Sequence, residues 1–232
     1  MSLEGLTGRG VRVAIIDSGV NPAHPHVGGV AGGIAIGPAG ESEIYLDYLG
    51  HGTAVAGAIR EKAPDALLYA VKVFDRALST NVDTILRAMG WCIERQMHII
   101  NLSLGTLKQQ HRERFEQVMA RAAASGVIVV SAREASGRPV LPGCLPSAIG
   151  VDVDWECPRD TYRVALPTFF ASGYPRSIPG VPQERNLNGI SFAVANMTGF
   201  VACAREACPD GSLEDLQQLL VQWSTPHKPR PR

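Results

Sequence analysis

Three short segments carry an acid, an imidazole and a hydroxyl in turn along the chain. They are Asp17 in Val-Ala-Ile-Ile-Asp-Ser-Gly, His51 in His-Gly-Thr-Ala-Val-Ala-Gly, and Ser191 in Gly-Ile-Ser-Phe-Ala. A serine hydroxyl is a poor nucleophile at neutral pH until an imidazole takes its proton, and the imidazole works best when a buried carboxylate fixes its tautomer. The chemistry these residues suit is acyl transfer. Ser191 attacks a carbonyl, His51 takes its proton and returns it to the leaving group, and Asp17 orients His51 and stabilises its cation. Taken singly, each residue has a plainer reading: Asp17 ends a strand, His51 sits in a loop and Ser191 caps a helix. The three together point to chemistry.

The surrounding pattern supplies elements to position them. Residues 11–16 form a short apolar run rich in β-branched residues, which reads as a buried parallel strand ending in a turn at Asp17-Ser-Gly. Similar runs recur at 67–74, 98–102, 127–130 and 148–151. Helical stretches are expected at 52–61, 82–95, 109–125 and 192–207, with Gly126 as a stop and Asp83 spaced to pair with Arg87. A last helix spans 212–223, with Ser212 as its cap and Asp215 in its first turn. Strands alternating with helices imply an α/β fold whose parallel sheet is covered on both faces, with ligands outside the carboxyl ends of the strands. Asp17 sits at such an end. His51 and Ser191 each open a helix, where backbone N–H groups point outward, so all three are expected at one crevice.

On these motifs the chain resembles the subtilisin-like serine proteases, whose residues run in the same acid, base, nucleophile order. The likeness extends from Leu6-Thr-Gly-Arg-Gly-Val-Arg-Val-Ala-Ile-Ile-Asp17 through Leu68-Tyr-Ala-Val-Lys-Val-Phe74 and Ile99-Ile-Asn-Leu-Ser-Leu-Gly105 to Gly189-Ile-Ser-Phe-Ala193. The resemblance implies a three-layer α/β domain with a mainly parallel central sheet and helices on both faces. It implies a serine endopeptidase that hydrolyses an extended polypeptide through an acyl-enzyme; the trimmed scaffold and the lack of an export signal turn the expectation toward a specialised intracellular processing role. It further implies that Ser103, Leu104 and Gly105 pair with the substrate backbone while Leu78, Ser79 and Thr80 flank the other side. Val140 and Leu141 fall near the principal specificity pocket, which suggests an apolar or medium-sized substrate side chain.

The chain departs from the family where the oxyanion is bound. Family members carry an asparagine after the strand at 127–130, and its amide donates to the oxyanion; here the stretch reads Ser131-Ala-Arg-Glu-Ala-Ser-Gly137. Ungapped comparison puts Ala135 at that position, and a short gap puts Glu134 or Arg133 there. Losing one such donor costs roughly 10²–10³ in turnover, a magnitude that comes from another subtilisin. Arg133 offers a charge-assisted donor, whereas Glu134 donates only when protonated. Asn186 and Asn188 are further candidates. Ile190 replaces the family threonine, Ala195-Asn196 replaces a Pro-His pair, and Ala54 stands where a second histidine is usual. Asn196 is expected to be a buried, satisfied amide. The alternative is a pseudoprotease or peptide-binding module with an impaired oxyanion hole.

Composition bounds the rest. A chain of 232 residues with 45% hydrophobic content suits one domain over 1–225, followed by a basic, proline-rich tail at 226–232. Lys plus Arg equals Asp plus Glu at 22 each, which leaves no field to draw nucleic acid or an anionic membrane. No apolar run approaches the roughly 20 residues of a membrane span and no signal segment opens the chain, so a cytoplasmic location is expected. Five cysteines without C-x-x-C spacing read as free thiols. Residues 60–66 hold too few oxygen ligands for calcium, and His24 and His26 lack a third metal ligand. Neither metal nor cofactor is expected. Met89, Trp91 and Cys92 read as core. A propeptide, an inhibitor or a partner domain remains open as a partner beside the polypeptide substrate.

Overall fold

The computed structural model describes residues 3–38 and 40–226, so the expected basic tail falls outside the described residues after Pro226. Along the chain come β1 (Arg12–Asp17), β2 (Gly32–Gly37), β3 (Gly40–Ser42), α1 (His51–Lys62), β4 (Leu67–Lys72) and α2 (Val82–Glu94). Then follow β5 (Ile99–Leu102), α3 (Arg112–Ala124), β6 (Ile128–Ala132), β7 (Glu134–Ala135), β8 (Arg138–Pro139) and β9 (Ala148–Val153). The chain closes with β10 (Tyr162–Ala165), β11 (Thr168–Ala171), α4 (Ile190–Ala207), α5 (Leu213–Trp223) and β12 (Thr225–Pro226). Among the described residues, ten strands form one sheet in the order β12-β10-β11-β9-β6-β5-β1-β4-β2-β3. Neighbours are parallel except at the β2–β3 and β10–β11 hairpins.

Alternation along β1 divides the core. Val13 and Ile15 join the cluster built with Val55 and Ile59 of α1, Phe192 and Val201 of α4, and Leu216 and Leu220 of α5. Ala14 and Ile16 point the other way, into the cluster with Met89 and Cys92 of α2 and Phe115 and Met119 of α3. Because both faces are covered, the strand reads as a continuous apolar run. The result is a three-layer α/β domain with a mainly parallel central sheet. Trp91 departs from its expected place, since it is half-buried with the Arg95 guanidinium over its ring.

The helices fall within a residue or two of their expected bounds, except that α3 begins three residues late, after a 3₁₀ turn at Gln109–His111, and α5 carries the expected cap in reciprocal form. The Ser212 hydroxyl accepts from the Asp215 N–H, and the Asp215 carboxylate accepts from the Ser212 N–H. The Asp83–Arg87 pairing is corrected: Asp83 pairs with Arg114 of α3, and Arg87 donates to the Gly37 carbonyl and lies 3.9 Å from Glu41. These exposed pairs bridge elements and contribute little energy. The hairpins were not anticipated. Strand β2 is glycine-rich, which argues against a strand, yet a Cβ at Gly33 would lie 2.5 Å from the Ala70 carbonyl and 2.7 Å from the Tyr45 ring.

Arg60, in the last turn of α1, ties the β1–β2 connection to the connection between α1 and β4. Its guanidinium donates to the carbonyls of Val27 (2.9 Å), Gly29 (3.1 Å), Pro64 (2.7 Å) and Ala66 (2.8 Å). Four carbonyls taken by one planar cation suit arginine and not lysine. Arg60→Ala should lower unfolding free energy by about 2–4 kcal/mol, because charge-assisted bonds are lost and carbonyls are left unpaired. Urea denaturation measures this, and an unchanged midpoint with unchanged slope would contradict it.

Candidate active site

The acid and the base meet. Asp17, at the carboxyl end of β1, is 1% exposed, and its Oδ1 accepts from the Ser18 N–H and from His51 Nδ1, each at 2.7 Å. An ionised carboxylate only accepts, so the proton sits on Nδ1 and Nε2 is left as the basic nitrogen. The imidazole packs against the Phe192 ring at 5.5 Å between centroids. Burial works to lower the His51 pKa, but the Asp17 hydrogen bond and the charges of Asp17 and Asp47 outweigh it and hold the pKa above 6.5. Asp17 Oδ2 is buried without a hydrogen-bond partner.

The start of α1 explains the sequence around His51. Gly50 adopts φ 81°, a left-handed conformation that favours glycine, and a Cβ on Gly52 would lie 2.1 Å from the Gly19 carbonyl. Asp47, which sequence reasoning missed, organises this turn. Its Oδ1 accepts from Ser18 Oγ and from the N–H groups of Leu49 and Gly50, all at 2.9 Å. Its Oδ2 accepts from the N–H and hydroxyl of Thr53 at 2.9 and 2.6 Å. Burial pushes the Asp47 pKa upward, but these hydrogen bonds outweigh it and leave the carboxyl below its ordinary range. The Ser18 hydroxyl also accepts from the Gly52 N–H at 2.9 Å, so Asp17, Ser18, Asp47 and the first turn of α1 form one rigid unit. An acid just ahead of Gly50-His51 at capping distance was the available signal.

Ser191 is placed by α4. Gly189, at φ 142°, turns the chain into the helix, and its N–H donates to the Gly173 carbonyl at 2.8 Å. Ser191 is the second helical residue. Its hydroxyl donates to the Ser103 carbonyl at 3.2 Å, and the Ser103 hydroxyl donates back to the Ser191 carbonyl at 3.2 Å. Behind them, Asn101 Nδ2 donates to Ser103 Oγ and the Thr198 hydroxyl donates to Asn101 Oδ1, each at 2.9 Å. This buried polar chain locks the end of β5 to α4. Asn101 carries no local signal of that role. Asn196 Nδ2 donates to the carbonyls of Ser172 (2.9 Å) and Tyr174 (3.0 Å), but its Oδ1 is buried without a partner. The expected satisfied amide is therefore half satisfied.

The stretch that departs from the family forms a two-residue β-hairpin turn. Ser136 and Gly137 have φ of 51° and 72°, and Glu134 and Ala135 pair with Pro139 and Arg138. Positive φ at both central residues is the turn whose twist matches paired strands. Glu134 and Ala135 are exposed, and the Glu134 N–H reaches Asp152 Oδ1 at 3.3 Å. The Arg133 N–H donates to the Val151 carbonyl at 2.9 Å, so of its donors only the guanidinium is uncommitted; its side chain lies along Gly150. Burial, and then the Glu134 charge, push the Asp152 pKa up to about 6. Asn186 and Asn188 make short-range bonds to the carbonyls of Arg176 and Asn186.

The two segments expected to flank a substrate lie apart in the chain, and Leu104 of one and the Phe74 neighbour of the other belong to the α2–α3 side. Ser79 and Thr80 line a cavity of about 550 Å³ with Phe74, and Leu78 is exposed. Ser103, Leu104 and Gly105 follow β5, with Leu104 packed against the α2–α3 core. A Cβ on Gly105 would lie 2.5 Å from both the Leu141 carbonyl and the Val140 side chain. Val140 and Leu141 are themselves buried. Among the described residues no group of three or more His, Cys, Asp or Glu is placed to hold a metal, and all five cysteines are free.

Fold and site together define a class: three-layer α/β proteins with a carboxylate–imidazole pair and a serine at helix starts on the carboxyl edge of the sheet. The chain belongs to the subtilase family, whose family profile (peptidase S8) matches residues 8–134. It is 31% identical to Subtilisin Savinase of Lederbergia lenta over 240 residues, covering 95% of this chain and 86% of that protein. It is 37% identical to Subtilisin E of Bacillus subtilis over 246 residues, covering 96% of this chain and 62% of that protein. The chain thus spans under two thirds of the length of several of its relatives. The crystal structure of a cold adapted subtilisin-like serine proteinase superposes with a TM-score of 0.74 at 21% identity, over 94% of this chain and 83% of that one, and shows the same fold.

Proposed function

We propose that this chain, acting as one domain, is a serine endopeptidase that cleaves polypeptides through an acyl-enzyme. The observation that carries the reading is the 2.7 Å bond from His51 Nδ1 to a buried Asp17, which leaves Nε2 as the basic nitrogen of a ring packed 5.5 Å from that of Phe192, the residue after Ser191. Ser191 is the nucleophile; its hydroxyl donates to the Ser103 carbonyl at 3.2 Å, so the reading requires its side chain to rotate from that carbonyl to donate to Nε2. The Ser191 N–H, near the start of α4 and so without an intrahelical acceptor, is one oxyanion donor, and the Arg133 guanidinium is the second. Substrate backbone pairs with Ser103, Leu104 and Gly105, and Leu78, Ser79 and Thr80 bound it on the far side. No described helix is long and apolar enough to cross a membrane. The expected cytoplasmic address gains no support from the relatives, and the proposal concerns the chemistry alone.

Two observations favour a second reading, a peptide-binding module: the Ser191 hydroxyl donates to the Ser103 carbonyl, and the family asparagine is absent. A fluorophosphonate probe separates the two. Labelling at Ser191 that disappears in Ser191→Ala is expected. A folded protein that binds peptides but takes no label between about pH 5 and 9 would instead be the binding module.

A further inference from the structure

On the α1 side of the sheet lies a pocket of about 260 Å³, bounded by the first turns of α1, the loop after β1 and the loop ahead of α4. Gly50 and Ala54, which bracket His51, and Leu187, just ahead of Gly189 and Ser191, belong to its wall. In the proposed reading the groove begins at Ser103, bonded to Ser191, and runs on through Leu104, packed on the α2–α3 core, with Ser79 and Thr80 beside Phe74 of that core, whereas this pocket lies against α1. A substrate paired with that groove sends its leaving-group half toward this pocket.

The wall is poor in free acceptors and rich in free donors. Asn21 Oδ1 accepts from the Ala23 N–H (3.1 Å), Asn186 Oδ1 from the Leu187 N–H (2.8 Å), and Asp47 uses both oxygens on five donors. His24 Nδ1 accepts from the His26 N–H at 3.2 Å, which puts the proton of the neutral ring on Nε2 and makes that atom a donor. Asn21 Nδ2 and His24 Nε2 have no protein partner among the described residues. Arg176 makes one long bond, to the His26 carbonyl at 3.4 Å, and no carboxylate pairs with its guanidinium among the described residues. Its charge is felt in the pocket: burial, then Arg176 and His24, lower the His26 pKa. The mouth is apolar, with Ile178 44% and Leu187 48% exposed.

The geometry points to a subsite for an acidic side chain, Asp or Glu, on the leaving-group half of the substrate, held by Arg176, His24 and Asn21. A carboxylate is acceptor-only and matches a set of unspent donors, and Arg176 recognises it with paired N–H groups. The inference rests on the peptidase reading and names the substrate class of that site. Asp47 opposes an anion, but its charge is spread over five hydrogen bonds.

The test uses peptides that differ only in Glu, Gln or Lys at each of the first three positions after the scissile bond. At one position Glu should exceed Gln in kcat/KM by about three- to tenfold, the range of a partly exposed charge pair, and Lys should fall below both. Arg176→Gln should bring the Glu-to-Gln ratio to about one, and Arg176→Lys should keep part of it. A ratio near one at every position in the unmodified protein, or a ratio that survives in Arg176→Gln, overturns the subsite. A preference that needs a free C-terminal carboxylate and vanishes on amidation also overturns it. If no peptide is cleaved, the peptidase reading fails on its own. The same peptides are then compared by fluorescence anisotropy, where tighter binding of Glu supports the subsite and equal binding overturns it.

Discussion

Ser191→Ala should lower turnover of any cleaved peptide by about 10⁶-fold, a figure carried over from another subtilisin whose nucleophile was removed. Affinity for the peptide should change by less than about twofold, since the hydroxyl is needed for the transition state and not for backbone pairing. The structure gives the fold little reason to suffer. The hydroxyl's bond is to the carbonyl of Ser103, a residue that is not fully buried, so water can replace it, and the Asn101–Ser103–Thr198 chain behind it remains. In the proposed mechanism acid, base and nucleophile act as a unit, so adding His51→Ala should cost little more. Subtilisins without their nucleophile keep a residual acceleration of about 10³–10⁴ that comes from the oxyanion hole and binding. With the asparagine gone, that residue should be smaller here. Single-turnover measurements decide the matter, and a variant that keeps more than about 1% of the activity would place the nucleophile elsewhere.

How much of this was legible before any coordinates follows from the range of the interactions. β1 was legible because a strand buried on both faces needs an unbroken apolar run, and Val13, Ala14, Ile15 and Ile16 supply it. The helices were legible from their period and from caps such as Ser212. Strand β2 was not, because Gly32 and Gly33 lower its local preference and only the Tyr45 ring and the β4 backbone, brought up by the fold, give them their place. Ser136-Gly137 does carry a local turn signal, since a glycine beside a small polar residue suits the two positive φ values of this hairpin.

The same distinction runs through the site. Asp17, His51 and Ser191 stood out because each lies in a short motif of fixed chemistry. Asp47 and Asn101 did not, because their roles exist only once Ser18 lies beside the first turn of α1 and Ser103 beside Ser191. The pairing of residues 103 and 191 spans a sequence separation of 88, and nothing local announces it. Arg133 is an intermediate case. The sequence left three residues open at the oxyanion position; the hairpin draws the Glu134 and Ala135 backbones into cross-strand pairing and Val151 takes the Arg133 N–H, which is why the proposed function gives the role to the Arg133 guanidinium.

Asp17→Asn should reduce kcat/KM at neutral pH by about 10⁴-fold, through two effects of one atom. The carboxylate oxygen that accepts from His51 Nδ1 fixes the tautomer, and an amide that presents its N–H₂ instead forces the proton to Nε2, where no base is left. The second effect is on pH. In the unmodified protein the His51 pKa is raised above 6.5, and catalysis needs Nε2 unprotonated. Activity should therefore be lost as pH falls through a value above 6.5, not at it. Removing the Asp17 charge and hydrogen bond leaves burial, which lowers the pKa, opposed only by the Asp47 charge. The residual activity of Asp17→Asn should then have its acid limb at lower pH than that of the unmodified protein. A purely structural role for Asp17 would lower the rate at every pH and leave the limb in place. Full kcat/KM profiles of both proteins distinguish these outcomes, and an acid limb that stays put or moves to higher pH in the variant would remove Asp17 from its assigned role.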